Sequence, residues 1–166
     1  MKKIYFGGPS ITSLEKKYVL DSVANGFYDG MKKDLINFEK KLKKLLKINY
    51  IHLTFTCTHA MHLALLSCGI KKGDEVIVPE ISWVATAQAV AYTGAKCVFV
   101  DVDPATFCID PEKIEAAITE RTKAVMVVHS FGHPCDMKKI VHICKKHNLY
   151  LVEDAAPSLG SHIQGK

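Results

Sequence analysis

Two acidic residues end the apolar run at residues 149–156, and the second of them, Asp154, is a candidate ligand-binding carboxylate. A run this apolar predicts a buried strand, and a carboxyl group at its end needs a partner. Ligands of α/β proteins bind outside the carboxyl ends of the strands. Asp154 therefore either caps the following loop or faces a ligand that prefers a negative charge. Glu153 is expected to turn to the other side of the strand or to brace the loop.

Two further segments are candidates for the same site. Residues 56–59, Thr-Cys-Thr-His, lie between a predicted strand and a predicted helix, where backbone N–H groups and the Thr58 hydroxyl favour phosphate binding. The alternative is that Thr56 or Thr58 only caps the helix. The position also predicts a lowered pKa for Cys57, although no general base can be assigned to it. Trp83, the only tryptophan, either stacks on a planar ligand or lies in a core or interface.

A phosphate-binding loop, an aromatic plate and a carboxylate suit a flat, phosphorylated heteroaromatic ring with a basic nitrogen. Pyridoxal phosphate (PLP) has this chemistry, since a carboxylate keeps its pyridine nitrogen protonated and the ring then serves as an electron sink. Three other kinds of site lack their motif: the dinucleotide loop G-x-G-x-x-G, the phosphate loop G-x-x-x-x-G-K-[ST] and the nucleophile elbow G-x-S-x-G.

A metal site is not expected, although histidines and cysteines are frequent in one stretch. Of these residues only Cys144 and His147 share a face of the predicted helix. His129, at a predicted strand end, is kept as a candidate pocket residue beside Asp154. The residues considered are His129, His133, Cys135, His142, Cys144 and His147.

The 166 residues include 48% hydrophobic ones, but no apolar run is long enough to span a membrane. Six cysteines without a C-x-x-C pair are typical of a reducing compartment, and residues 1–9 are too polar for a signal peptide, so a cytoplasmic location is expected. The net charge of +5 is uneven. Leucines at helical spacing favour a solvated helix face over a nucleic-acid surface for the basic segment. Its lysines are Lys32, Lys33, Lys40, Lys41, Lys43, Lys44 and Lys47.

Strands that are apolar throughout alternate with helices, which predicts an α/β fold: a mostly parallel sheet with helices on both faces. One domain is expected, with a helical segment at 1–48 and an alternating core at 49–166. It is expected to be truncated, because a covered sheet needs a further element after the Asp154 loop. The predicted strands are 51–55, 75–78, 97–101, 123–129 and 149–154, and the predicted helices are 12–25, 34–47, 58–67, 82–92, 111–118 and 136–147.

Four segments together resemble the DegT/DnrJ/EryC1/StrS family of PLP-dependent sugar aminotransferases, over nearly the whole chain. They are residues 8–12 (GPSIT), 73–79 (GDEVIVP), 99–103 (FVDVD) and 153–156 (EDAA). The resemblance implies the large domain of a fold type I transferase that works as a homodimer. It also implies transfer of an amino group, usually from glutamate, to a keto group of a nucleotide-linked deoxysugar.

The resemblance implies roles for four residues. Asp154 would pair with the pyridine nitrogen of PLP, Trp83 would stack on the ring, and Cys57 and Thr58 would hold the phosphate. The family often has S-G-T-A where residues 56–59 read T-C-T-H. The C-T-H variant resembles the branch that acts on dTDP-4-keto-6-deoxyhexoses.

Two departures from the family pattern affect the site. A glutamine often follows E-D-A-A and reaches the ring hydroxyl of PLP, but this chain has Pro157, which has no side-chain donor, so Ser158 is the candidate replacement. The Schiff-base lysine of the family lies downstream of this loop, and Lys166 is simply the last residue. The fragment itself is therefore expected to be inactive. A histidine at the downstream position would make the protein a PLP-dependent 3-dehydratase, and a non-catalytic regulatory paralogue is the third hypothesis.

Overall fold

The computed structural model describes residues 8–27, 32–163 and 165. The chain divides into two compact units, Met1–Leu53 and Thr54–Lys166. The expectation for residues 1–9 mostly, and that for Lys166 entirely, concern residues outside the described ones. The assignment of the whole chain to one domain stays a prediction.

Within residues 8–27 and 32–53 the first unit contains two helices, both of which the sequence predicts. Helix α1 (Ser13–Asn25) begins with a capping box, in which the Thr12 hydroxyl accepts a backbone N–H and Glu15 accepts the Thr12 N–H at 2.6 Å. Helix α2 (Lys33–Leu46) is the lysine-rich amphipathic helix, and it ends at Lys47 in the left-handed conformation.

The second unit contains one parallel sheet of four strands in the order β2-β1-β3-β4. The strands are β1 (Glu75–Pro79), β2 (Lys96–Val100), β3 (Thr122–Val128) and β4 (Tyr150–Asp154). The strand predicted over 51–55 is wrong, because these residues have no strand conformation. Residues with high strand propensity form a strand only where neighbouring residues pack against them. Phe55, the aromatic residue at the end of this segment, is 99% exposed and has no such packing.

Helix α3 (Cys57–Ser67) precedes β1, and the other helices connect consecutive strands as expected. They are α4 (Val84–Tyr92), α5 (Pro111–Ile114) and α6 (Met137–Lys146). The side chains of Asp110 and Asp136 cap α5 and α6 as predicted, accepting N–H groups at 3.0 and 3.2 Å. Helix α5 is shorter than the predicted 111–118, since Glu115–Ala117 continue it as a 3₁₀ turn.

Alternate residues of the central strands face two hydrophobic clusters. Val76 and Val78 pack with α3 and α4, whereas Ile77 packs with α5 and α6. Because both faces are covered, the strands are apolar throughout, and the predicted fold class is confirmed. Val152 belongs to the first cluster. Asp154, two residues later on the same strand, therefore faces the side of α3 and α4.

A buried acid stabilises the opposite, amino edge of the sheet. Glu75 starts β1, and its carboxylate accepts hydrogen bonds from Thr119 at 2.6 Å and from Arg121 at 2.7 Å. The hydrogen bond from Thr119, and then Arg121, holds the pKa of Glu75 below its ordinary value.

None of the described helices combines the length and apolarity needed to cross a bilayer.

Candidate functional site

Asp154 lies at the carboxyl end of β4 and is only 5% exposed. Its Oδ1 accepts the Ala156 N–H at 3.1 Å and the Cys57 S–H at 3.4 Å. Its Oδ2 accepts the Thr86 hydroxyl at 3.4 Å. The carboxylate therefore caps its own loop, as one alternative predicts, and also binds side chains from two helices.

The N-terminus of α3 lies beside this carboxylate. Thr56 is the N-cap residue, and its hydroxyl accepts the His59 N–H. The first backbone hydrogen bond of the helix runs from Ala60 to Thr56, so the N–H groups of Cys57 and Thr58 point out of the helix end. The capping alternative is therefore correct for Thr56, whereas Thr58 lies in the first turn, half-buried.

The predicted pKa of Cys57 is wrong in direction. Partial burial of the sulfur, together with the negative charge of Asp154 and the hydrogen bond to it, raises the pKa of Cys57 to about 11. Burial of the sulfur first, and then the adjacent carboxylate, outweigh the favourable effect of the helix end on this pKa. The thiol therefore remains protonated at neutral pH and serves as a hydrogen-bond donor, not as a nucleophile.

The start of α4 carries Trp83 and contributes Thr86 to the surroundings of Asp154. Trp83 is the N-cap residue of α4, and the residue is 81% exposed. It is therefore not a core tryptophan, whereas the alternative of an interface tryptophan stays open. Thr86 lies one turn later, is 1% exposed and donates to Asp154.

Ser158 lies in the loop after β4 and is buried. Its hydroxyl donates to the carbonyl oxygen of Ala155 at 3.4 Å, and its N–H donates to the same oxygen at 3.0 Å. These bonds close a turn directly after Asp154. The contact predicted between Ser158 and the ring hydroxyl of a cofactor stays a prediction.

His129 faces away from the Asp154 side chain. Its Nδ1 accepts the Cys135 N–H at 3.1 Å, so Nε2 carries the proton and donates to Glu153 at 3.2 Å. The prediction that His129 lines a pocket beside Asp154 is wrong, because successive strand residues point to opposite faces. The prediction that Glu153 turns to the other side is confirmed. Among the described residues, no three histidine, cysteine or acidic side chains form a metal-binding cluster.

Thr86 and Ser82 also belong to this site, although neither was predicted from the sequence. The Ser82 hydroxyl lies 2.7 Å from the Thr86 hydroxyl and extends the hydrogen-bond network of Asp154 outward. A signal was present in the sequence: Thr86 is a polar residue in the first turn of a mostly apolar helix. Its partner could not be predicted, because Asp154 lies 68 residues further along the chain.

Curated proteins of known name are similar to this chain. GDP-perosamine synthase of Escherichia coli O157:H7 is 42% identical over 166 residues, which is 100% of this chain and 46% of that protein. L-glutamine:scyllo-inosose aminotransferase of Streptomyces griseus is 49% identical over 111 residues, 67% of this chain and 26% of that protein. The chain thus spans less than half the length of these relatives.

Solved structures share the fold. The crystal structure of 3-amino-5-hydroxybenzoic acid synthase matches with a TM-score of 0.89 and 35% identity, over 96% of this chain and 42% of that one. NtdA of Bacillus subtilis, with bound cofactor PMP, matches with a TM-score of 0.83 and 36% identity, over 93% of this chain and 36% of that one. PMP is the aminated form of PLP, the cofactor that the sequence predicts.

The family model of the DegT/DnrJ/EryC1/StrS aminotransferases matches residues 9–166. Aminotransferases of this family depend on PLP, so the predicted class of cofactor is confirmed for the family. The match covers both helices of the first unit and the whole sheet. The chain therefore belongs to the DegT/DnrJ/EryC1/StrS aminotransferase family.

Proposed function

We propose that this chain is part of a PLP-dependent aminotransferase that converts a keto group of a nucleotide-linked deoxysugar into an amine. Glutamate is the proposed amino donor, and a cytoplasmic homodimer is the proposed form of the whole enzyme. The observation that carries the proposal is the buried carboxylate of Asp154 at the carboxyl edge of the sheet, beside the N-terminus of α3. Family membership and the names of the relatives support it.

The residues present fit PLP. Among the described residues, Asp154 Oδ1 accepts two hydrogen bonds and Oδ2 accepts one. Each carboxylate oxygen can accept about two. The carboxylate thus keeps acceptor capacity for a protonated ring nitrogen. Bound PLP supplies an electron sink for the carbon that carries the transferred amino group. Asp154 serves this chemistry because it holds the proton on the ring nitrogen.

Other residues of the chain are proposed to bind and orient PLP. The outward N–H groups of Cys57 and Thr58, with the Thr58 hydroxyl, provide donors for the phosphate at the positive end of α3. The exposed indole of Trp83 provides a flat apolar surface for the ring. Ser158 holds the loop after β4 in its turn and is the proposed partner of the ring hydroxyl.

The lysine that bonds to PLP is proposed to lie in the part of the relatives' length that this chain does not span. A histidine at that position would instead make the protein a 3-dehydratase. Two nucleotides are candidates for the nucleotide part of the sugar substrate. The name GDP-perosamine synthase supports GDP, and the Thr-Cys-Thr-His loop supports dTDP.

The test uses the whole purified protein. PLP binding is followed by the visible absorbance of the bound cofactor, and amino transfer from glutamate is followed by release of 2-oxoglutarate with GDP- and dTDP-linked keto-deoxysugars. Asp154→Asn should bind PLP more weakly and lose most turnover, whereas the neighbouring Glu153→Gln should retain both. A protein that binds no PLP would refute the proposal, and PLP binding without 2-oxoglutarate release would support the dehydratase or the regulatory hypothesis.

A further inference from the structure

Thr86 carries a buried hydroxyl group that contacts Asp154 from the start of α4. The residue is 1% exposed in the first turn of α4, and its oxygen lies 3.4 Å from Asp154 Oδ2 and 2.7 Å from Ser82 Oγ. A valine would fill the same space with one more methyl group and no polar atom. The cost of burying a hydroxyl here is offset only by these two hydrogen bonds.

The direction of both hydrogen bonds follows from the chemistry of the groups. A carboxylate only accepts, so the single proton of the Thr86 hydroxyl goes to Asp154. Thr86 must then accept from Ser82, whose side chain is at the surface. The result is a directed chain of donors, from Ser82 through Thr86 to Oδ2 of Asp154.

The two oxygens of Asp154 are therefore not equivalent. Oδ1 has two donors, the Ala156 N–H and the Cys57 S–H, and Oδ2 has only Thr86 among the contacts found in the described chain. We propose that Thr86 is a positioning residue that fixes Asp154 with Oδ2 as the oxygen free to accept from the ring N–H of PLP. This rests on the proposed function.

The test separates an effect on the ring nitrogen from a general loss of structure. Dissociation constants of the cofactor-free whole protein are measured by fluorescence titration for two ligands: pyridoxamine 5′-phosphate, and its analogue with carbon in place of the ring nitrogen. Neither ligand needs a covalent bond to lysine. Thr86→Val should weaken binding of pyridoxamine 5′-phosphate about tenfold, which corresponds to the lower end of the range for a hydrogen bond to a charged group. Binding of the carbon analogue should change less than about twofold.

Thr86→Ser, which keeps the hydroxyl, should restore binding of pyridoxamine 5′-phosphate. Ser82→Ala, at a surface position, should weaken binding of pyridoxamine 5′-phosphate by about twofold and leave binding of the carbon analogue unchanged. This variant tests the positioning role if Thr86→Val fails to fold. Equal weakening of both ligands would overturn the positioning role, as would unchanged binding. A wild-type protein that binds neither ligand would instead overturn the proposed function, and the positioning role with it.

Discussion

Replacement of Asp154 by asparagine should make the Cys57 thiol more reactive in the cofactor-free protein. The Cys57 sulfur lies 3.4 Å from Asp154 Oδ1. The pKa of this thiol is raised to about 11, first by burial and then by the charge and hydrogen bond of Asp154. Asparagine removes the charge and leaves the burial. The pKa should therefore fall but stay above its ordinary value, and more of the reactive thiolate should form at a given pH.

The expected increase in the thiolate fraction of Cys57 follows from the distance between its Sγ and Asp154 Oδ1. At the dielectric constant of water, two unit charges at 3.4 Å interact by about 1 kcal/mol, which is the lower limit here because the Cys57 sulfur is partly buried beside the carboxylate. This energy corresponds to about five- to tenfold more thiolate below the pKa. Alkylation by iodoacetamide at about pH 8.5, read for each cysteine by peptide mass spectrometry, should be faster by the same factor.

Two controls belong to this experiment. Glu153→Gln removes the neighbouring carboxylate, which faces His129 on the other side of the sheet, and it should leave the Cys57 rate unchanged. Cys68, whose pKa is raised by burial alone, provides an internal reference that should not change in either variant. An unchanged rate in Asp154→Asn, or an equal acceleration in both variants, would refute the electrostatic link between Asp154 and Cys57.

The remaining predictions concern stability, measured by urea unfolding. Leu65→Ala, at a fully buried position of α3, should lower the free energy of unfolding by about 2–5 kcal/mol, whereas Leu66→Ala, at a position 49% exposed, should change it by only about 0.5 kcal/mol. Glu75 has a lowered pKa, so its stabilising effect exists above the pKa of the unfolded chain and disappears as the pH falls through the folded value. Glu75→Gln should therefore destabilise the protein at about pH 7 and much less at about pH 3. His129→Phe leaves the buried Cys135 N–H without its acceptor and should cost about 1–3 kcal/mol; an unchanged midpoint would contradict this.

Much of the fold could be predicted because its signals are local. Continuous apolar runs predict β1 to β4, and Asp110 and Asp136 predict the starts of α5 and α6. The segment at 51–55 shows the limit of such patterns. Its residues suit a strand, but strand conformation is stabilised by a neighbouring strand, and no pattern within the segment says whether one is present.

The candidate site also has some features that the sequence predicts and others that only the tertiary structure shows. The sequence by itself determined the family, the carboxylate at the end of β4 and the opposite directions of Asp154 and Glu153, because motifs and strand alternation are properties of neighbouring residues. Only the tertiary structure decided that Cys57 and Thr86, 97 and 68 residues away, both donate to Asp154. It also reversed the expected pKa shift of Cys57, since burial of the sulfur and a carboxylate 3.4 Å from it together outweigh the dipole of the helix end. Such contacts depend on how α3 and α4 pack on the sheet, and that packing brings together residues whose local sequences carry no information about each other.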